Sequence, residues 1–166
     1  MTVSLDRARR MASAAHVVAI VACVLIILAI VGQSAIPTGA ALIGGEGAFE
    51  SRLGRALTAL IPALPLTLFF FSLFRLRQAL DHYSDGEFFS PKPARHIAGA
   101  GVNAALALFA AAIVAPALQA WAEGGRLQIR VEPIMAAMLA FALFVMVVGR
   151  ILEAAAAIKA ENDQIV

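Results

Sequence analysis

Four long apolar runs, separated by polar intervals, dominate the hydrophobic pattern of this chain. No Asp, Glu, Lys or Arg occurs from Met11 to Gly45, from Ala56 to Phe74, from Ile97 to Ala122 or from Pro133 to Gly149. An α-helix rises about 1.5 Å per residue and a bilayer core is about 30 Å thick, so about 20 apolar residues are enough to cross it. The pattern therefore predicts four transmembrane helices.

These runs predict an all-α fold, an integral membrane four-helix bundle that forms a single membrane domain of residues 1–166. We expect the transmembrane helices at about residues 12–34, 56–77, 95–120 and 133–152, with a C-terminal cytoplasmic helix at about 151–162. Glycines and a proline predict an outer loop over residues 36–50, and a short second outer loop is expected over 122–132. Pro62 and Pro65 fall inside the second helix and predict a bend there, because proline has no backbone N–H to donate.

The composition supports the membrane assignment over a soluble helical bundle. Of the 166 residues, 61% are apolar and only 14% are charged, and the mean hydropathy is +0.87. A soluble bundle of this size needs a polar outer face on each helix, and the apolar runs have none.

The distribution of positive charge predicts the orientation of the helices. Nine Lys and Arg residues lie before the first run, between the second and third runs, or after the fourth, and four lie in the other two intervals. Because positive loops stay on the cytoplasmic side, both termini and the central interval are predicted to be cytoplasmic. The expected location is the bacterial inner membrane, crossed several times, and the basic balance gives no reason to expect direct nucleic-acid binding.

The central polar interval, residues 75–96, holds most of the side-chain chemistry available to a soluble partner. Ser84-Asp85-Gly86 predicts a turn, and Ser90-Pro91 predicts the start of the third helix, with the Ser hydroxyl capping a free amide. The residues predicted to bind a partner lie in this interval and in the C-terminal helix: Arg77, His82, Tyr83, Glu87, Phe88, Phe89, Glu153, Lys159 and Glu161. A solvated, lipid-anchoring surface is the alternative interpretation of the same residues.

Few residues suggest chemistry inside the bundle. Pro62, Pro65 and Asn103 are interpreted as structural residues. Asn103 is expected to hydrogen-bond a neighbouring helix. His16, His82 and His96 are expected near the inner face, where imidazoles can bind a metal or haem iron, but no pair has the i,i+4 spacing that presets a site on one helix. We predict no catalytic residue, no metal site, no cofactor and no enzymatic activity.

Two stretches resemble a known bacterial family. They are Gly86-Glu-Phe-Phe-Ser90, followed by a basic helix start and Gly99-Ala-Gly101, and the ending Arg150-Ile-Leu-Glu-Ala-Ala-Ala-Ala-Ile-Lys-Ala-Glu-Asn-Asp-Gln-Ile-Val166. Both resemble the family called domain of unknown function 2975, whose members are four-helix inner-membrane proteins with a G-x-F-S inner loop. Genes of that family often stand beside small Cro-type helix-turn-helix regulators, so the resemblance implies a DNA-binding partner.

The leading functional hypothesis is a membrane-bound regulator that sequesters or inhibits a cytoplasmic helix-turn-helix transcription factor through its inner loop and C-terminal helix. The alternative is a binding or transport module for a small molecule, haem or metal, housed within the bundle near Pro62, Pro65 and Asn103. The lipid bilayer is an expected partner in both cases, and homo-oligomerisation is left open.

Overall fold

The computed structural model describes residues 2–43, 49–87, 90–126 and 132–162, and these residues are helical except at turns and helix ends. The helices are α1 (Thr2–Ile30), α2 (Ile36–Ile43), α3 (Phe49–Leu60), α4 (Ala63–Ser84), α5 (Pro91–Phe109), α6 (Ala115–Glu123) and α7 (Pro133–Asn162). Two π-helical segments, Val31–Ala35 and Ala110–Val114, join α1 to α2 and α5 to α6. The prediction of an all-α bundle is confirmed.

Four stretches of helix are long and apolar enough to cross a membrane: Arg10–Ile43, Ser51–Ser84, Pro91–Glu123 and Pro133–Asn162. Large apolar side chains cover their outward faces, and Leu25, Leu28, Phe141 and Phe144 are all more than two-fifths exposed. Such a surface is stable in lipid and costly in water. The protein is therefore a multi-pass membrane protein, with transmembrane segments that are the charge-free parts of these helices.

Each of the four apolar spans packs mainly on the next span along the chain, through contacts of α1 with α4, of α4 with α5 and of α5 with α7. Nearly all buried positions carry small side chains, such as Ala19, Ala79, Ala98, Ala107 and Ala142. In lipid there is no hydrophobic force between helices, so association depends on close van der Waals contact and hydrogen bonds, which small residues permit. The sequence showed this alanine content without showing which face would be buried.

Glycine makes the contact between α5 and α7 especially close. A Cβ atom at Gly149 would collide with the backbone of Ala98, and one at Gly101 would collide with the backbone of Met146. Nearby, the Ser72 hydroxyl on α4 donates a buried 2.8 Å hydrogen bond to the Ala100 carbonyl on α5. The three helices are thus held together over a short length of the bundle.

Away from this contact, three helices are interrupted. The first and third spans contain the π-helical segments, and the second breaks at the Ile61–Pro62 turn, where the Leu64 N–H donates to the Ile61 carbonyl at 3.2 Å. The first π segment packs on α3 and the second on α4. The second span, for which Pro62 and Pro65 predict a bend, is interrupted at Pro62. Pro65 lies within the first turn of α4, where its missing N–H has no helical acceptor.

The first predicted outer loop is partly wrong. Residues Ile36–Ile43 form α2, although they contain Pro37 and Gly39. Pro37 is tolerated because it falls in the first turn after the π segment, and Gly39 has empty space around it. The helical part of the first span is therefore longer than expected and extends to Ile43.

Candidate functional site

The candidate site lies at the end of the bundle that carries residues 75–87, 90–96 and 150–162, which we call the terminal end. Here α4 finishes at Ser84, and the chain turns through hydrogen bonds from the Asp85 N–H to the Asp81 carbonyl and from the Glu87 N–H to the His82 carbonyl. Gly86 has φ of 90°, a left-handed conformation that residues with a side chain rarely adopt. The predicted turn is confirmed.

The start of α5 is also as predicted. The Ser90 side chain accepts a 3.3 Å hydrogen bond from the Lys92 N–H, and Pro91 occupies the first helical position. α4 ends at Ser84 and α5 begins at Pro91, so the connection between the two helices is only six residues long. Phe88 and Phe89, predicted to bind a partner, lie outside the described residues.

Two histidines meet across the loop. The rings of His82 on α4 and His96 on α5 are stacked, with centroids 5.8 Å apart and planes 17° from parallel. His82 Nδ1 also lies 3.0 Å from a carboxylate oxygen of Glu87. The structure thus brings His82 and Glu87, both predicted site residues, into direct contact, and adds His96 beside them.

The third histidine does not join this pair. His16 Nδ1 on α1 is buried and lies 3.7 Å from Asp81, which is close enough for an ion pair when the ring is protonated but too long for a hydrogen bond. Within the part of the chain that the structure describes, no group of three or more His, Cys, Asp or Glu side chains is arranged to hold a metal. His82 and His96 are the residues on which a metal or haem hypothesis would have to depend.

An ion-pair cluster connects the start of α5 to the end of α7. Arg95 Nε donates a 2.7 Å hydrogen bond to Glu153, and Arg150 donates a 3.0 Å hydrogen bond to the other oxygen of the same carboxylate. Glu153 lies beyond the charge-free stretch that ends at Gly149. The hydrogen bonds from Arg95 and then from Arg150 hold the pKa of Glu153 below its ordinary value, so this carboxylate stays charged at neutral pH.

Two arginines of α4 pack differently although they are two positions apart. The Arg75 side chain lies against Gly99 of α5, in space that only a glycine leaves free. The Arg77 guanidinium lies 5.9 Å from the centre of the Phe74 ring, within cation–π range, and its Nε is buried with no partner among the described residues. Arg77, a predicted site residue, therefore faces partly into the bundle.

The remaining predicted residues are more open. Tyr83 is half-buried at the end of α4, while Lys159 and Glu161 are exposed on the last turns of α7. Asn103 is half-buried on α5, and its side chain forms no hydrogen bond with the residues that the structure describes. The buried hydrogen bond between helices that was expected of Asn103 comes from Ser72 instead.

Sequence reasoning missed Arg95 and Arg150 as residues of this site. Arg150 and Glu153 are three positions apart in a helix, a spacing at which opposite charges attract, so this pair was detectable. Arg95 and Glu153 are 58 positions apart, and no local pattern connects them. His96 was noted only as a potential ligand, because its contact with His82 depends on how α4 and α5 pack.

Comparison with known proteins identifies a family. A family model described as "Protein of unknown function (DUF2975)" matches residues 6–166, nearly the whole chain. No curated protein and no solved structure matches.

Proposed function

The chain belongs to the DUF2975 family, and we propose that it is a membrane-bound regulator that sequesters a cytoplasmic helix-turn-helix transcription factor at its terminal end. The observation that carries this proposal is the Arg95–Glu153 contact. It connects the start of α5, which follows the α4–α5 loop, to the C-terminal part of α7, although 58 positions separate the two residues. Two segments far apart in sequence thereby form one surface that a single partner can contact.

The charges of this surface suit a protein partner rather than a transported solute. Glu87, Lys159 and Glu161 are exposed, and mixed charges of this kind favour specific protein contacts through complementarity. Glu153 is already bound by two arginines, so we assign it the role of holding the surface together. We assign the direct contacts to the loop and to the last turns of α7, where Glu87, Lys159 and Glu161 are exposed.

The orientation supports the same function. The terminal end carries six of the thirteen Lys and Arg residues of the chain, and three more precede the first span on the same side, against four in the other two intervals. The positive-inside rule therefore predicts that this end faces the cytoplasm. Sequestration also requires only a modest difference in affinity. A tenfold preference for the membrane-held state corresponds to about 1.4 kcal/mol, which a few surface contacts can supply.

The proposal is tested by reversing charge on the exposed last turns of α7. We expect Lys159→Glu combined with Glu161→Lys to abolish co-purification of a DNA-binding protein with the membrane protein, and to change transcription from that regulator's promoter. The readouts are the partners identified after solubilisation and a promoter fusion. Both changed side chains are exposed, so the bundle should fold normally.

The matched control is Arg126→Glu, which reverses an exposed charge at the opposite end of the bundle. It should leave the partner and the promoter unchanged. Equal loss in both variants, or retention of the DNA-binding protein in the double variant, would contradict the proposal. Labelling of a cysteine at position 85 by an impermeant reagent from outside intact cells would also refute it, because the surface would face away from the cytoplasm.

A further inference from the structure

A large groove opens between α3 and α6 at the end of the bundle opposite the candidate site. Its volume is about 1020 Å³, at the upper end of the range of about 300–1,000 Å³ usual for ligand sites. Leu57, Ile61 and Leu118 line its apolar part, and Trp121 stands beside them. Nothing in the proposed regulatory function uses this groove.

The groove exists because the second and third spans diverge at this end. α4 and α5 pack closely along their length, whereas α3 and α6 touch only weakly. The divergence coincides with the break at Ile61–Pro62 and with the π-helical segment Ala110–Val114. Gly54 also lines the groove, and no atom lies near the position that its Cβ would take. The lack of a side chain on α3 at this position leaves the groove wider there.

Two opposite charges, Arg55 and Glu123, line the same groove. Arg55 immediately precedes the charge-free stretch 56–74, and Glu123 immediately follows the charge-free stretch 97–122. Both side chains therefore lie where the hydrocarbon core meets the headgroups. Trp121, the single tryptophan of the chain and 84% exposed, is at the depth where tryptophan commonly anchors a helix.

We propose that this groove binds one phospholipid with a primary-amine headgroup. The acyl chain lies along Leu57, Ile61 and Leu118, the phosphate pairs with Arg55, and the ammonium group donates hydrogen bonds to Glu123. A quaternary choline headgroup has the same charge but no N–H to donate, so it binds less well. An anionic glycerol headgroup offers no cation to Glu123 and is disfavoured by its charge.

The single Trp121 makes the proposal measurable in the intact protein. The purified full chain is reconstituted in phosphatidylcholine vesicles in which part of the lipid is replaced by brominated phosphatidylethanolamine, phosphatidylglycerol or phosphatidylcholine. Bromine quenches tryptophan fluorescence at contact, and bulk lipid contributes equally for the three headgroups. We expect the ethanolamine lipid to be preferred over the choline lipid by about fivefold, as one interfacial contact of modest strength at Glu123 allows, since both lipids offer the same phosphate to Arg55.

Matched variants decide the outcome. Glu123→Gln should abolish the preference for ethanolamine over choline, giving a ratio of about one. Glu132→Gln is the same change at an exposed residue outside the groove, and it should keep the preference. Ala59→Leu, which fills the groove, should weaken the headgroup-dependent part of the quenching. Equal quenching by the three lipids in the unmodified protein, or equal loss in Glu123→Gln and Glu132→Gln, would overturn the proposal.

Discussion

The two ends of this bundle contain similar residues but pack them in different ways. Next to the terminal end, the backbone of the neighbouring helix occupies the space that a Cβ atom would need at Gly101 and at Gly149, so a glycine is required at each. At the opposite end, Gly32, Gly39 and Gly54 have no atom within 4 Å of a Cβ position. A glycine in a membrane helix is thus evidence of close packing only where a partner helix reaches it.

The same contrast appears in the regularity of the helices. α4 and α7 reach the terminal end and α5 begins there, all three without interruption in that half of the bundle, and they are held together by Ser72 and by the Arg95–Glu153 contact. At the opposite end, π-helical segments and the Ile61–Pro62 turn interrupt three of the four spans. Such interruptions are frequent at functional sites. The rigid end suits a docking surface, and the divergent end suits a lipid or another small ligand.

The largest expected effect comes from adding a methyl group where the helices touch. Gly149→Ala places Cβ against the backbone of Ala98, which cannot rotate away, so we expect a loss of about 2 kcal/mol in the free energy of unfolding. Unfolding in mixed micelles with increasing denaturing detergent measures the change.

Two further glycines sharpen this comparison. Gly99→Ala meets only the flexible end of Arg75 and should cost less than Gly149→Ala. Gly39→Ala meets nothing and should stabilise α2 by up to about 1 kcal/mol, since alanine is the better helix former. Equal losses in all three variants would show that close packing does not distinguish the two ends.

A smaller effect is expected from the hydrogen bond between α4 and α5. Ser72→Ala removes the buried 2.8 Å bond to the Ala100 carbonyl and should reduce the free energy of unfolding by about 1 kcal/mol. Thr58→Ala is the control, because Thr58 donates to the Gly54 carbonyl within its own helix. If Thr58→Ala destabilised the protein as much as Ser72→Ala, the bond between helices would have no special role.

The smallest effect is expected at the exposed ion-pair cluster. Arg95 and Arg150 lower the pKa of Glu153 in the folded protein, so the charged carboxylate stabilises the fold above the ordinary Glu pKa, and this stabilisation is lost as pH falls through the lowered value. Glu153→Gln should therefore flatten the dependence of stability on pH below about 4.3. Detergent unfolding at several pH values in low salt tests this.

Glu161→Gln is the matched control, since Glu161 is exposed on the same helix and has no ion pair among the described contacts. It should leave the pH dependence of stability as it is in the unmodified protein. The same acid-dependent loss in the unmodified protein and in Glu153→Gln would show that the cluster does not connect α5 to α7.

The hydrophobic pattern alone determined the number and approximate position of the four apolar spans, because crossing a bilayer requires a long apolar run and little else. Local chemistry also determined the cap at Ser90, the turn at Gly86 and the break at Pro62, since each depends on neighbouring residues only. The tertiary structure decided which alanines and glycines are buried, which serine makes the hydrogen bond between helices, and that Arg95 reaches Glu153. Those features depend on the relative rotation of the helices, which nearly uniform apolar surfaces in lipid do not specify, so they emerge only when the helices pack.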